Sequence, residues 1–197
     1  MAGVIFIHGF NKTPDTWNKT ESGKDILIEK LVSKKAHTLL VHIDDYDSNP
    51  SETVVPIIDQ IKLVGLKKWT VVCHSLGVIY GLELLKSDIP ITGVCLIDPT
   101  VPDAKFISKL EKEGRHVLKS YCKDHTQLDF PPKIIFHIHF DYDMRKPEKL
   151  SRKVQYYNGL TTKNDKSEII IHMNKGHMLH YTDGPKIVNS IMNLIRL

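Results

Sequence analysis

Val71-Val72-Cys73-His74-Ser75-Leu76-Gly77 is an apolar run that stops at a serine and meets a glycine two places later. From there the apolar residues change period, with Ile79, Leu82 and Leu85 recurring at helical spacing. The segment predicts a strand, a sharp turn with Ser75 at its apex, and a helix. A serine on such a turn is held in a strained backbone and projects its oxygen into open space. Small residues must flank it, because strand and helix pass close to each other. The layout is G-x-S-x-G with Cys73 in the first glycine position.

Working outward, six short runs rich in Val and Ile recur along the chain, at 4–8, 38–43, 69–74, 91–97, 133–139 and 168–173. Near-continuous apolar runs of this length suit strands buried on both faces, hence a parallel sheet. Segments of helical period lie between them at 24–34, 52–64, 76–86, 147–157 and 185–197. Alternation of this kind predicts an α/β fold with right-handed crossovers, a three-layer sandwich around a six-stranded, mainly parallel sheet. With 197 residues the chain is expected to form a single domain over 1–197. The stretch 101–132 is longer than one crossover requires. It mixes charge with Phe106, Ile107, Leu110, Val117, Leu118 and Tyr121, and is either a long crossover or a small cap.

Composition narrows the class. Hydrophobic residues make up 41% and charged residues 25%, which excludes a disordered or fibrous chain. Net charge is +4, but the pairs Lys34-Lys35 and Lys67-Lys68 are separated, so no nucleic-acid footprint is expected. Cys73 and Cys95 lie inside apolar runs and no C-x-x-C spacing occurs, so the cysteines read as small hydrophobes. No apolar stretch approaches the roughly 20 residues of a membrane span. A secretory leader pattern is not seen, and a cytoplasmic location is the expectation.

Open α/β sheets bind ligands at the carboxyl ends of their strands. There the chain carries His8-Gly9-Phe10, then Ser75, then Asp98-Pro99, then His139-Phe140-Asp141-Tyr142-Asp143, then Gly176-His177. Serine, carboxylate and histidine follow in the order Ser…Asp…His. On these residues the sequence resembles a small α/β-hydrolase over nearly its whole length. Cys73-His74-Ser75-Leu76-Gly77 resembles the family's nucleophile elbow, His8-Gly9-Phe10 its oxyanion loop, and Gly176-His177 its histidine loop. Trp17 also matches a position where many members carry an aromatic residue. The resemblance implies a trimmed version of that fold, with sheet order 2-1-3-4-5-6 in this chain's strand count.

It further implies Ser75 as nucleophile, His177 as base and backbone N–H groups of Phe10 and Leu76 as the oxyanion hole. The acid is expected at Asp143, with Asp98 and Asp141 as alternatives. His172 and His180 compete with His177, but the preceding glycine favours His177. His74 reads as structural. The pattern His137-x-His139-x-Asp141 could hold zinc on one face of a strand. Its next position is Tyr142, and its place late in an alternating α/β chain counts against it. No cofactor and no metal are implied.

The expected activity is hydrolysis of a carboxylic ester in a small-molecule acyl substrate. Thioesters and amides are open to the same machinery, and a non-catalytic binding module of the same fold is the rival class. Ser at the elbow disfavours dehalogenase chemistry, which needs Asp there. Ester turnover is expected to fall as pH drops and the histidine base gains a proton.

Overall fold

The computed structural model describes residues 1–20, 22–124 and 130–196. Six strands form one sheet: β1 (Gly3–Ile7), β2 (His37–Val41), β3 (Trp69–His74), β4 (Ile91–Ile97), β5 (Ile135–Tyr142) and β6 (Glu168–Met173). Their order is β2-β1-β3-β4-β5-β6 and every pairing is parallel. The helices are α1 (Ile28–Ser33), α2 (Pro50–Thr53), α3 (Val55–Val64), α4 (Gly77–Leu84), α5 (Ala104–Lys112), α6 (His116–Asp124), α7 (Pro147–Thr161), α8 (Leu179–Thr182) and α9 (Gly184–Arg196).

The side-chain alternation of each strand builds two cores. Val4 and Phe6 of β1, with Val72 of β3, face α1 and α9, where Ile28, Val32, Ile187, Ile191 and Leu194 close that layer. Ile5 and Ile7, with Val71 and Cys73, face the opposite way toward α3, α4 and α7. The central strands β1 and β3 are buried along their whole length, which is why they read as unbroken apolar runs. The edge strands β2 and β6 are partly exposed, and the sheet stops there. Among the described residues no helix is long and apolar enough to cross a membrane.

Three departures from the expected elements have local causes. The first helix begins at Ile28 rather than at 24, because Leu27 adopts a left-handed backbone (φ 55°). The amides of Ile26 and Leu27 both donate to the carbonyl of Asn18, which ties this stretch to the preceding loop. The expected helix over 52–64 is divided into α2 and α3. Pro56 in the first turn of α3 has no N–H to continue the ladder into α2. Strand β5 begins at Ile135 and runs on to Tyr142, three residues past the expected end, paired with β6 through Asp141 and Tyr142. That extension puts Asp143 beyond the paired part of the strand.

The stretch 101–132 holds two helices, α5 and α6, up to Asp124; residues 125–129 lie outside the described residues. Asp103 caps α5, its Oδ1 accepting from the Phe106 amide at 3.0 Å.

Candidate active site

Ser75 sits between β3 and α4 with φ 52°, a left-handed conformation that costs a serine about 1–3 kcal/mol. The surrounding contacts hold it there. Its amide donates to the carbonyl of Ile97 at 3.0 Å, and its own carbonyl accepts from the Thr100 amide at 3.2 Å. Gly77 lets the first turn of α4 cross the end of β1. A Cβ at that position would lie 2.3 Å from the His8 carbonyl oxygen, which no side chain can occupy.

The first glycine of the expected motif is Cys73, and its bulk is accommodated across the interface. A Cβ on Gly81 of α4 would meet the Cys73 sulfur at 2.1 Å. The strand carries the side chain here and the helix carries none, at Gly81, one turn on from Gly77. Gly81→Ala is therefore expected to destabilise by about 1–3 kcal/mol through overpacking, and Cys73→Ala in the same chain to recover most of that loss. Urea unfolding of the two single variants and the double variant measures the coupling. Equal costs of Gly81→Ala in both backgrounds would remove the argument.

Ser75 Oγ lies 2.9 Å from His177 Nε2. On the far side of the ring, His177 Nδ1 is hydrogen-bonded to Asp98 Oδ2. Nδ1 must carry the proton to reach a carboxylate, so Nε2 presents a lone pair to the serine. The structure thus brings together Ser75, His177 and Asp98.

The expected acid, Asp143, is not part of this arrangement. It follows β5 on a turn and forms a two-point ion pair with Arg145, at 3.0 and 3.2 Å. That guanidinium holds its carboxyl below the usual carboxylate range. The structure places Asp98, not Asp143, behind His177, for two physical reasons. First, β5 is longer than its apolar run indicated and stays paired with β6 as far as Tyr142, which puts Asp143 beyond the strand's end. Second, Asp98 directly follows β4, the neighbour of β3, one strand nearer to Ser75. Asp141, the other alternative, sits within β5 and accepts from the Lys175 amide at 2.7 Å. It braces the loop that presents His177. Asn174 in that loop is left-handed (φ 52°), as is Gly176 (φ 80°).

Asp98 has a second partner that the sequence did not suggest. Lys153, from α7, donates to Asp98 Oδ1 at 2.5 Å, and both side chains are nearly fully buried. Burial alone would push the Asp98 carboxyl up. The His177 hydrogen bond and the Lys153 charge outweigh it and hold the carboxyl well below its ordinary range. Lys153 itself is pulled down by burial, opposed by Asp98. The carboxylate is therefore fixed at both oxygens. In the sequence Lys153 is one of many surface-patterned lysines, and only the facing of α7 onto the end of β4 singles it out.

The other histidines near the strand ends have structural partners. His74 is buried, and its Nε2–H donates to the backbone carbonyl of His177 at 3.1 Å, pinning the histidine loop to the elbow. Burial drives its pKa down to about 3, so it stays neutral. His180 is buried against His74 and lies 3.1 Å from the Thr16 hydroxyl. His172 is hydrogen-bonded to Asp183 and to His139, both at 2.8 Å. His137 faces Glu168 at 3.4 Å. His137, His139 and Asp141 thus turn to three different partners, and no metal-holding cluster occurs among the described residues. Trp17 packs on Phe6 and on His180.

The loop after β1 is also held firmly. The Ile43 amide donates to His8 Nε2 at 3.3 Å, which leaves Nδ1–H to donate to the Gly9 carbonyl at 2.9 Å. The Tyr46 hydroxyl donates to the His8 carbonyl at 2.6 Å. Beyond this brace, the amides of Phe10 and Leu76 donate to no protein acceptor among the described residues. Beside Ser75 and His177 opens a cleft of about 640 Å³, bounded by the loop after β4 and by α5 and α7. A smaller recess of about 230 Å³ also reaches Ser75 and is lined by Phe10, Leu76 and Phe106.

No protein-family model and no curated protein matches the sequence. Solved structures do match the fold. A thermophilic esterase from Thermogutta terrifontis aligns with a TM-score of 0.66 at 11% identity, over 100% of this chain and 90% of that one. An epoxide hydrolase from Vigna radiata gives 0.65 at 12% identity, over 99% and 92%. MenH from S. aureus gives 0.60 at 15% identity, over 99% and 93%. The fold is the α/β-hydrolase fold, reduced to six parallel strands.

Proposed function

We propose that the protein is a serine hydrolase that cleaves a carboxylic ester through an acyl-enzyme. The observation that carries this reading is the continuous chain from Ser75 Oγ through His177 to Asp98 at the mouth of a cleft. A hydroxyl is a weak nucleophile unless a neighbouring base takes its proton. Ser75 Oγ attacks the ester carbonyl while its proton passes to His177 Nε2. The imidazolium is stabilised by the Asp98 carboxylate. The tetrahedral oxyanion accepts from the amides of Phe10 and Leu76; each such donor is worth about 2.7–4 kcal/mol of barrier. His177 then returns the proton to the departing alcohol. Water, deprotonated by the same histidine, releases the acid and restores Ser75. Helix α5 serves as a small cap, since its Phe106 and Lys109 line both recesses beside the serine.

The fold supports a hydrolase, and the epoxide hydrolase among its neighbours raises a second chemistry. The serine at the elbow favours acyl transfer over it. A fluorophosphonate probe is expected to label the protein at Ser75, to leave Ser75→Ala unlabelled, and to label His177→Ala only weakly. Absence of labelling in well-folded protein at pH 8 would overturn the catalytic reading in favour of a binding module.

A further inference from the structure

The cleft beside Ser75 is strongly positive. Of the residues that line it, Lys105, Lys109, Lys112, Lys149, Arg152 and Lys153 are cations and Asp98 is the one carboxylate. Six cations and one carboxylate leave five net positive charges there, against a net charge of +4 for the whole chain. The rest of the molecule is therefore close to neutral, and its excess charge is concentrated at this mouth.

Part of that charge is internally paired. Lys153 is spent on Asp98, Arg152 lies 3.2 Å from Asp103, and Lys109 lies 3.6 Å from Glu113. Lys105, Lys112 and Lys149 have no ion-pair partner among the described residues. They come from two helices, α5 and α7, that both line the cleft. Lysines that served only for solubility would be spread over the surface and balanced by nearby carboxylates. A cleft lined by one sign of charge focuses field and raises the local concentration of oppositely charged ligand.

Resting on the serine-hydrolase reading above, we infer that the substrate is an ester bearing an anionic group, a carboxylate or a phosphate, away from the scissile carbonyl. The reacting carbonyl sits at Ser75, and the anion lies between Lys105 and Lys112 of α5 and Lys149 of α7. Phe106 and Val101 cover the apolar stem that joins them.

The test compares two esters with the same leaving group, 4-nitrophenyl hexanoate and the 4-nitrophenyl monoester of adipic acid. At low salt, kcat/KM is expected to favour the anionic ester at least tenfold. The preference should shrink toward unity in 0.5 M salt as the field is screened. Lys105→Glu combined with Lys149→Glu should abolish or invert the ratio, while Lys34→Glu combined with Lys35→Glu, an equal charge change on a distant surface, should leave it unaltered. Inorganic phosphate and glutarate, tried as competitive inhibitors of hexanoate turnover, identify which anion the cleft takes by the lower inhibition constant. Equal turnover of the two esters at low salt, with Ser75 still labelled by fluorophosphonate, would overturn the inference and leave the hydrolase reading standing. Failure of both esters and of labelling would overturn both.

Discussion

Asp98→Asn is expected to lower kcat for a 4-nitrophenyl ester by about 10⁴-fold, and Asp143→Asn to leave it close to that of the parent. The first change keeps the shape of the side chain but can hold His177 in the wrong tautomer, and the loss expected from such a change is of that order. The second removes only a partner of Arg145 on a turn after β5. Asp98→Asn also strands a buried ammonium, and breaking a buried pair costs about 3–5 kcal/mol. Kinetics should therefore be measured beside thermal unfolding, and repeated with Lys153→Met added to remove the orphaned charge. If the double variant folds and regains parental turnover, or if Asp143→Asn is the damaging change, Asp98 is not the acid.

Acid is expected to destabilise the fold well above the range where carboxylates titrate. His74 and His139 are wholly enclosed, and burial lowers each to about 3 from the ordinary 6.5. In the unfolded chain both bind a proton below about pH 6.5, while in the folded protein they stay neutral. The unfolded state thus holds more protons throughout the interval from 6.5 to 3, and stability falls as pH falls through it. Two such groups remove about 4 kcal/mol between pH 8 and pH 5, a large share of the roughly 5–15 kcal/mol typical of a domain. His180, also lowered by burial, acts in the same direction. Asp98 adds its own loss only below about pH 4, where its unfolded form begins to take a proton. Urea unfolding at pH 8, 6.5 and 5 reads this directly. His139→Gln should flatten the slope by about 1.4 kcal/mol per pH unit; an unchanged midpoint from pH 8 to 5 would refute the argument.

The sheet was legible in the sequence because its central strands are buried on both faces. Trp69–His74 and Ile91–Ile97 match the apolar runs residue for residue, and the partly exposed edge strand Glu168–Met173 does so as well through its Ile169, Ile170 and Ile171. Strand order followed from the resemblance, and Ser75 and His177 from their places at strand ends. The acid was harder to place. Three aspartates followed strands, and local pattern could not say how far β5 extends or where Arg145 would turn. Polar residues such as Asp141 and Tyr142 carry no apolar signal, yet they pair with β6 as well as Ile138 does. Lys153 was out of reach for a related reason. Its role depends on which face of α7 meets the end of β4, a fact about two segments 55 positions apart.

The exchange between Cys73 and Gly81 bears on how such proteins are found. A string pattern for the elbow demands a glycine two places before the serine. In this chain the strand-side position and Gly81 oppose each other, so only one of the two has room for a side chain, and the second lies six residues after the serine. A pattern that admitted a cysteine at the first position would have to read the helix-side position as well, which lies outside the string.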